Sequence, residues 1–461
     1  MKLLKSLCAA ALLAASAPLM AQDEVWTPEP VVTIENADWS RDAVLYQINT
    51  RQFTEEGTFA AAQEELPRLK ELGVDILWLM PVHPIGEVNR KGTLGSPYSV
   101  KDYTAINPEF GTKEEFRAFV DAAHDQGFKV ILDLVANHTA WDHPLARENP
   151  DWYEKSWDGS FRPTPWWDWS DIIDLDWSEP GVRKHIGEAM EYWVREFDID
   201  GYRADVAGYI PLDFWETMRG RLEAIRPVFM LGEVQDTAFH HEAFDATYAW
   251  DWHNTSKAVA SGKAGPTSFY GYYAENESLW PREAMRMTYI ENHDSNAWEG
   301  SVTENYANGL AAATALSFTG EGLPLIYNGM EACNTKRLEF FEKDPIDWSL
   351  LGDEEACPYG VLLQDLIAFR KDNSALANGR WGARMEKVET DSPENVLAWV
   401  RQNESNKVLG LFNFSAEPVQ VSFKDGLPAG TYSTFATGET VVITEDSSVQ
   451  LAPWGFALYS R

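Results

Sequence analysis

Two ionisable residues stand close together in the stretch FDIDGYRADVAG, residues 197–208. This strand-like run ends in Arg203 and Asp205, with a glycine shortly after them. Side chains alternate along a β-strand, so these two side chains point the same way. If that way is inward, they form a buried charge pair, which is costly unless the protein uses it. The pair therefore raises the hypothesis of a chemical site at a strand end.

Polar residues also follow three other apolar runs of the chain. These residues are Asp133, Asn137 and His138, then Glu233, and finally His293 and Asp294. If the strand ends meet, the carboxyl groups of Asp205, Glu233 and Asp294 converge, and because they cannot all ionise easily, at least one pKa should rise. A carboxylic acid with a raised pKa beside an ionised carboxylate is the acid and nucleophile pair of glycoside hydrolysis. Arg203 would then favour the charged form of Asp205.

Eight short β-rich runs alternate with amphipathic helical segments along most of the chain. The runs span residues 43–49, 75–82, 129–137, 201–207, 228–234, 246–252, 286–292 and 323–329. In the segments between them, apolar residues recur at spacings of three and four, which is typical of helices that pack one face on a core. Eight βα units in a row predict a (β/α)8 barrel, whose active site lies at the C-terminal strand ends. A doubly wound open sheet is the structural alternative.

The spacing predicts three structural regions. Residues 139–175, rich in Trp, Asp and Pro, interrupt the repeat after the third strand and are expected to form a short domain B over the barrel mouth. The barrel would then comprise residues 22–138 and 176–380. Residues 381–461 contain short strands separated by turn residues, which predicts a C-terminal antiparallel β-sandwich.

The first 21 residues predict a secretory signal peptide, because lysines precede an apolar stretch that is too short to span a membrane. The mature protein is therefore expected to be periplasmic or extracellular. Cys333 and Cys357 would there either form a disulfide or remain two buried thiols. The formal net charge of −34 disfavours nucleic acid and anionic lipid as partners, and no later segment predicts membrane insertion.

Four stretches in order resemble the four motifs of the α-amylase family, glycoside hydrolase family 13. They are DLVANH (133–138), GYRADVA (201–207), GEV (232–234) and ENHD (291–294). The resemblance covers nearly the whole chain after the predicted signal peptide. It implies an exported retaining hydrolase that cleaves α-1,4-glucosidic bonds in starch-like α-glucans or maltooligosaccharides by double displacement.

The resemblance also implies a role for each motif residue that reacts. Asp205 resembles the catalytic nucleophile, and Glu233 resembles the general acid that later acts as the base. Asp294 resembles the third carboxylate, which holds hydroxyls of the distorted sugar and helps to raise the pKa of Glu233. Arg203 resembles the arginine that orients the nucleophile.

Further residues are expected to bind the substrate. His138 and His293 resemble the histidines around the sugar at the cleaved bond, and Tyr98 resembles the tyrosine that stacks there. His83, in MPVHPIG, fits packing and sugar contact equally well. Asp133 is expected to support the arginine.

The sequence departs from the starch-cutting pattern after the nucleophile. Gly208 and Tyr209 replace a Lys-His pair, and the DVA at residues 205–207 looks more like members that act on cyclodextrins, pullulan or short maltooligosaccharides.

The chemistry needs no cofactor. A structural calcium is possible at Asn137 together with carbonyls of the excursion. Tryptophans of the excursion would form either a sugar platform or a local core; they are Trp166, Trp167 and Trp169.

Other functions remain open at this stage. A cyclomaltodextrinase, neopullulanase or maltogenic enzyme is the first alternative, and a transglycosylating enzyme shares the same covalent intermediate. A non-catalytic glucan-binding protein would be expected to have lost carboxylates. Only a short stretch separates the predicted signal peptide from the first strand, which leaves no room for an extra dimerisation domain, so a monomer is expected.

Overall fold

The computed structural model describes residues 31–424, 429–444 and 446–461. The predicted signal peptide, residues 1–21, lies outside the described residues. From residue 32 onward the chain forms one compact unit.

A closed barrel of parallel strands forms the larger part of the fold. The first ten strands are β1 (Leu45–Ile48), β2 (Ile76–Leu79), β3 (Lys129–Leu134), β4 (His138–Ala140), β5 (Ile172–Asp174), β6 (Gly201–Ala204), β7 (Phe229–Gly232), β8 (Ala246–Tyr248), β9 (Met285–Tyr289) and β10 (Leu323–Tyr327). Eight of them close the barrel in the order β1-β10-β9-β8-β7-β6-β3-β2. Strand β1 pairs with both β2 and β10, which confirms the predicted barrel and excludes the open sheet.

Helices surround the barrel and connect its strands. They are α1 (Thr50–Phe53), α2 (Phe59–Glu64), α3 (Leu66–Leu72), α4 (Lys113–Asp125), α5 (Pro144–Glu148), α6 (Pro180–Phe197), α7 (Leu212–Glu223), α8 (Phe239–Glu242), α9 (Trp250–Ala260), α10 (Ser268–Leu279), α11 (Val302–Tyr306), α12 (Leu310–Thr319) and α13 (Pro358–Asp372). Helix α4 begins with a capping box of Thr112 and Glu115. Within the described ranges, none of these helices has the length and apolarity that a membrane crossing requires.

The alternation of side chains divides the barrel strands between two cores. On β9, Met285, Met287 and Tyr289 fill the barrel interior. On β6, Tyr202 and Ala204 pack in the outer layer against the helices, so Arg203 between them points into the barrel. Of the two directions that the sequence leaves open for Arg203, the structure has the inward one.

Two further regions of the chain contain antiparallel strands. Strands β4 and β5 pair with each other in the excursion between β3 and β6. The C-terminal strands are β11 (Met385–Lys387), β12 (Val396–Gln402), β13 (Lys407–Asn413), β14 (Val419–Ser422), β15 (Gly430–Thr434), β16 (Thr440–Ile443), β17 (Ser448–Leu451) and β18 (Phe456–Ser460). They form an antiparallel sheet in the order β11-β12-β13-β18-β15-β16 and a second pair, β14-β17. Their inner faces enclose a separate apolar core, as predicted for this region.

A disulfide joins Cys333 and Cys357. It links the segment after β10 to the residue that precedes α13. Of the two alternatives that the sequence leaves open for these cysteines, the structure contains the bonded one.

Candidate active site

A single buried guanidinium contacts three carboxyl groups at the mouth of the barrel. Arg203 Nη1 lies 2.8 Å from Asp133 Oδ1 and 2.9 Å from Asp205 Oδ1. Arg203 Nη2 lies 2.8 Å from Glu233 Oε2, close enough for an ion pair, although its N–H bonds are not aligned for a hydrogen bond. The side chain of Arg203 is fully buried. Asp205 and Glu233 thus flank the two terminal nitrogens of one guanidinium.

The backbone places these two carboxyls directly after neighbouring strands. Asp205 follows β6 and Glu233 follows β7, and these two strands pair in parallel. The next residue, Val206, has φ 36° and ψ 46°, a left-handed conformation that β-branched residues rarely adopt. In this conformation the Val206 N–H donates to Glu233 Oε2 at 2.7 Å. Such backbone strain is often found at functional sites, and here it fixes the carboxyl of Glu233.

Burial in this region opposes the ionisation of the carboxyl groups. It raises the pKa of Asp205 well above its usual value and also raises the pKa of Glu233. It raises the pKa of Asp133 to about 6. Burial in the cleft raises the pKa of Asp294 as well, although 43% of that side chain is exposed. These four carboxyls are called the acid cluster below.

One cation cannot balance the acid cluster. Arg203 lowers the pKa of Asp205, in the direction that the sequence analysis expects, but burial outweighs its effect. Glu233 and Asp294 raise the pKa of Asp205 further. The acid cluster therefore retains protons at pH values where isolated carboxyls would be ionised.

A chain of hydrogen bonds connects His293 to the acid cluster. The Gln47 amide holds this histidine at two points: Oε1 accepts from the His293 backbone N–H at 3.2 Å, and Nε2 lies 2.7 Å from ring Nδ1. The first bond fixes the amide orientation, so Nε2 must donate and Nδ1 must accept. Burial lowers the pKa of His293 to about 3, which leaves a neutral ring with its proton on Nε2.

The remaining links of this chain lead to Asp133. Nε2 of His293 lies 2.7 Å from the Tyr98 hydroxyl oxygen, which in turn donates to Asp133 Oδ2 at 3.0 Å. Trp78 Nε1 donates to the same carboxylate oxygen at 3.1 Å. Sequence analysis did not identify Gln47 or Trp78 as site residues. The one available signal was a polar side chain, Gln47, within the otherwise apolar strand β1.

The site residues surround a cavity of about 760 Å³. Its wall contains Tyr98, His138, Asp205, Glu233, His293 and Asp294, so the structure brings these predicted residues together. His138 is buried, and burial lowers its pKa to about 4. His83 is absent from the wall; it packs near the rings of Tyr103 and Trp193. The position of His83 is that of a core residue, which favours the packing interpretation.

Aromatic rings form much of the cavity wall. Trp167 and Trp169 stack with ring centroids 5.3 Å apart and 12° between their planes. Phe340, which sequence analysis did not single out, lies nearly parallel to the ring of Tyr98 at 6.2 Å. Trp298 contacts Phe340 and is half exposed. Trp166, by contrast, is fully exposed and does not line the cavity.

Asn137, the side chain expected at a calcium site, is hydrogen-bonded within the protein. Asn137 Nδ2 donates to Asp174 Oδ1 at 3.1 Å, and the Thr164 hydroxyl donates to the same oxygen. Calcium prefers about six to eight oxygen ligands, several from carboxylates, and Asp174 is the one carboxylate of this trio. In the described ranges, no group of three or more His, Cys, Asp and Glu side chains could hold a metal ion. A calcium ion at Asn137 stays a prediction, and no catalytic step is assigned to one.

Family comparisons match both parts of the chain. The model of the α-amylase catalytic domain matches residues 40–359, and the model of the maltogenic amylase C-terminal domain matches residues 385–458. Among curated proteins, the chain is 30% identical over 413 residues to Alpha-amylase MalA of Haloarcula japonica. That alignment covers 86% of this chain but 58% of the relative.

Solved structures show the same architecture. A noncanonic maltogenic alpha-amylase, AmyB from Thermotoga neapolitana, has a TM-score of 0.81 and 28% identity, with 91% of this chain and 98% of that chain covered. An alpha-amylase from Lactobacillus plantarum has a TM-score of 0.79 and 30% identity, with 92% and 99% covered.

Proposed function

The chain belongs to the α-amylase family, and we propose that it is a retaining hydrolase of α-1,4-glucosidic bonds in starch-like glucans or maltooligosaccharides. One observation carries this proposal. Asp205 and Glu233 contact the two terminal nitrogens of Arg203, at a cavity lined with aromatic rings. Retaining glycosidases need two carboxyls about 5–5.5 Å apart, and flanking one guanidinium is compatible with so short a separation.

The reaction proceeds in two displacements. In the first, a carboxylate oxygen of Asp205 attacks the anomeric carbon while Glu233 gives its proton to the departing glycosidic oxygen. The first product leaves, and a glycosyl ester on Asp205 remains. In the second, Glu233 removes a proton from water, which attacks the same carbon and releases Asp205. Two inversions at one carbon restore the original configuration.

Electrostatics of the acid cluster suit these two roles. Asp205 must be ionised while Glu233 holds a proton, and a single proton shared between coupled carboxyls provides such a state. Arg203 contacts both groups, so it stabilises whichever one is ionised at each step. The negative charge of Asp294 raises the pKa of Glu233, which favours the protonated acid at the start of the cycle.

The cavity wall suits neutral sugars. Pyranose rings have apolar faces that pack on aromatic side chains, and the stacked pair Trp167 and Trp169 presents such a surface. Hydroxyl groups would find polar partners in His138, Asp294 and Asn254 on the same wall. A volume of about 760 Å³ accommodates more than one sugar unit.

A maltogenic or cyclodextrin-cleaving specificity is the second candidate, and one contact favours it. Trp167 Nε1 donates to the Tyr209 hydroxyl at 3.1 Å. Tyr209 is one of the two residues that depart from the starch-cutting pattern, and this contact places its side chain against the aromatic wall. The match of the C-terminal region to the maltogenic amylase model supports the same candidate.

Export to the periplasm or the cell exterior is part of the proposal. It rests on the predicted signal peptide, and the disulfide between Cys333 and Cys357 supports it because such bonds persist in oxidising compartments. Fractionation of producing cells, followed by mass measurement of the mature N-terminus, tests this point.

Product analysis tests the proposed reaction. The mature protein is incubated separately with soluble starch, pullulan, β-cyclodextrin and maltotriose, and products are separated over time. We expect Glu233→Gln to lose turnover, whereas the exposed control Glu275→Gln on α10 retains it. Mid-length oligosaccharides from starch with intact cyclodextrin would indicate α-amylase action, and early maltose or panose would indicate the second candidate. Glucan binding without new reducing ends would contradict both.

A further inference from the structure

A second, much smaller cavity lies where the barrel meets the C-terminal sheet. Its volume is about 20 Å³, and it shares no wall residue with the active-site cavity. Four arginines and one carboxylate line it: Arg282, Arg286, Arg384, Arg401 and Glu321. These four arginines are called the arginine cluster below. They come from the residues around β9, from the turn before β11 and from β12.

The single carboxylate is already engaged. Glu321 Oε2 lies 3.3 Å from Arg384 Nη1, and Glu321 Oε1 accepts the Met385 N–H at 2.6 Å. Arg401 donates only to backbone carbonyls, including that of Gly320 at 2.7 Å. Arg282 donates to the Gly382 carbonyl.

Three of the guanidiniums therefore have no carboxylate in ion-pair contact among the described residues. Burial lowers the pKa of Arg282 and Arg286, and it lowers the pKa of Arg401 to about 10. A guanidinium rarely sheds its proton, so the cavity wall carries more positive than negative side chains, while Glu283 and Asp251 act on Arg282 and Arg286 from outside the wall. A buried charge is unfavourable unless a charge of opposite sign lies close to it.

Arg286 lines this cavity and has an unused buried donor. The residue is 4% exposed, its guanidinium lies 3.5 Å from the Trp280 ring centroid, and Nη2 donates to the Tyr248 carbonyl at 3.2 Å. Its Nε is buried and has no hydrogen-bond partner in the described chain. A buried donor without an acceptor is destabilising, so an acceptor in the cavity would remove this penalty.

We propose that this cavity binds one compact monovalent anion of the halide class, such as chloride. A volume of about 20 Å³ holds one water-sized particle, which favours a monatomic anion over sulfate, phosphate or carboxylic acids. The excess of guanidinium over carboxylate supplies the charge preference, and Arg286 Nε supplies a free donor. The anion would connect β9 of the barrel to β12 of the C-terminal sheet.

A water molecule is the competing occupant. Asn276 Oδ1 also lines this region and is buried without a partner in the described residues. A water could donate to that oxygen and accept from Arg286 Nε, whereas a halide could only accept. The experiment must therefore distinguish a halide from water.

Anomalous diffraction distinguishes the two directly. Crystals of the full mature protein are soaked in sodium bromide, and data are collected at the bromine absorption edge. We expect an anomalous peak inside the cavity, in contact with Arg286. Density without anomalous signal at this position, or bromide at the protein surface alone, would overturn the proposal.

Thermal unfolding provides a second test in solution. Wild-type protein is heated in graded sodium chloride and in sodium gluconate at matched ionic strength. We expect chloride to raise the unfolding midpoint with the logarithmic concentration dependence of a single bound ligand, and gluconate, which is too large, to have no such effect. Arg286→Gln should lose the chloride-specific shift, whereas the exposed control Arg147→Gln should keep it. Equal midpoints in the two salts for wild type would refute the site, whether or not Arg286→Gln folds.

Discussion

The acid cluster and the arginine cluster are opposite charge imbalances in one protein. In the acid cluster, four carboxyls adjoin one guanidinium that contacts three of them. In the arginine cluster, four guanidiniums surround one carboxylate. Both regions are largely buried, and each would be unfavourable if every group kept its usual charge without a counter-ion.

The difference lies in how each imbalance can be relieved. Carboxyls can take up protons from water. The carboxyls of the acid cluster therefore have raised pKa values and stay partly protonated, which is what acid catalysis requires. Guanidiniums keep their protons, so the excess of positive charge in the arginine cluster favours the binding of an anion. The same physical problem thus leads to chemistry in one region and to a ligand site in the other.

Changing the cation of the acid cluster should have the largest effect. Arg203→Lys keeps the charge but replaces two terminal nitrogens by one ammonium, which cannot contact Asp133, Asp205 and Glu233 in the same geometry. We expect kcat/KM on maltooligosaccharides to fall by at least about 100-fold. Steady-state kinetics and thermal unfolding should be measured together.

Arg219→Lys is the matched control for this substitution. Arg219 is also buried, but its ion pairs are with Asp245 and Glu223 and not with Asp205 and Glu233, the partners of Arg203. This variant should lose stability yet keep kcat/KM near the wild-type value. An equal loss of activity in both variants would mean that Arg203 acts only through the fold.

Removing one charge from the acid cluster should shift the pH dependence of kcat/KM. The negative charge of Asp294 raises the pKa of Glu233, so Asp294→Asn makes Glu233 easier to ionise. The catalytic proton is then lost at lower pH, and we expect the alkaline limb of the kcat/KM profile to move to lower pH, together with a fall in kcat. Asp168→Asn, which removes an exposed acid from the same cavity, should leave the limb in place. A shift to higher pH in Asp294→Asn would contradict the assignment.

Altering the support of His293 should have a smaller effect. Gln47→Met removes the donor to Nδ1 and the acceptor of the backbone N–H, and the loss of such bonds corresponds to a decrease of about tenfold in kcat/KM. At a pH where the new carboxyl is ionised, Gln47→Glu keeps the shape but offers only acceptors, so Nδ1 must become a donor. Nitrogen NMR of the His293 ring should then report the other tautomer or the charged ring. An unchanged ring spectrum in Gln47→Glu would contradict the positioning role.

The smallest effect is expected at the aromatic wall. Tyr209→Phe removes the acceptor of the exposed Trp167 N–H, and a partly exposed hydrogen bond contributes little. We expect kcat to change by less than about threefold, with a change in the sizes of early products from starch. An unchanged product pattern would mean that the Tyr209 hydroxyl does not influence product specificity, and it would weaken the maltogenic candidate.

Much of the fold could be predicted because local patterns repeat. Each barrel strand is an apolar run followed by polar residues, and alternation places Arg203 and Asp205 on the same face of their strand. The convergence of Asp205, Glu233 and Asp294 at one cavity follows from the same geometry. The antiparallel C-terminal sheet follows from short alternating strands with turn residues between them.

Other features depend on contacts that no local pattern encodes. Gln47 is one polar residue within an apolar strand, and nothing near it in the sequence indicates that it meets His293. Phe340 lies in a long segment without periodicity, so its position beside Tyr98 could not be anticipated. His83 directly follows the predicted second strand, residues 75–82, but the sequence does not show which way the chain turns there. The members of the arginine cluster are too far apart in the sequence to suggest a common cavity.

Trapping the covalent intermediate is the sharpest test of Asp205 as the nucleophile of a retaining enzyme. In Glu233→Gln, α-maltosyl fluoride can still react, because fluoride leaves without a proton, but the general base needed for hydrolysis is missing, so a glycosyl ester should accumulate. Digestion at low pH and mass spectrometry of the peptides would locate it. We expect a maltosyl adduct on the peptide that contains Asp205, and its loss in the double variant Asp205→Asn, Glu233→Gln. An adduct on another residue, or product released with inverted configuration and no adduct, would refute double displacement through Asp205.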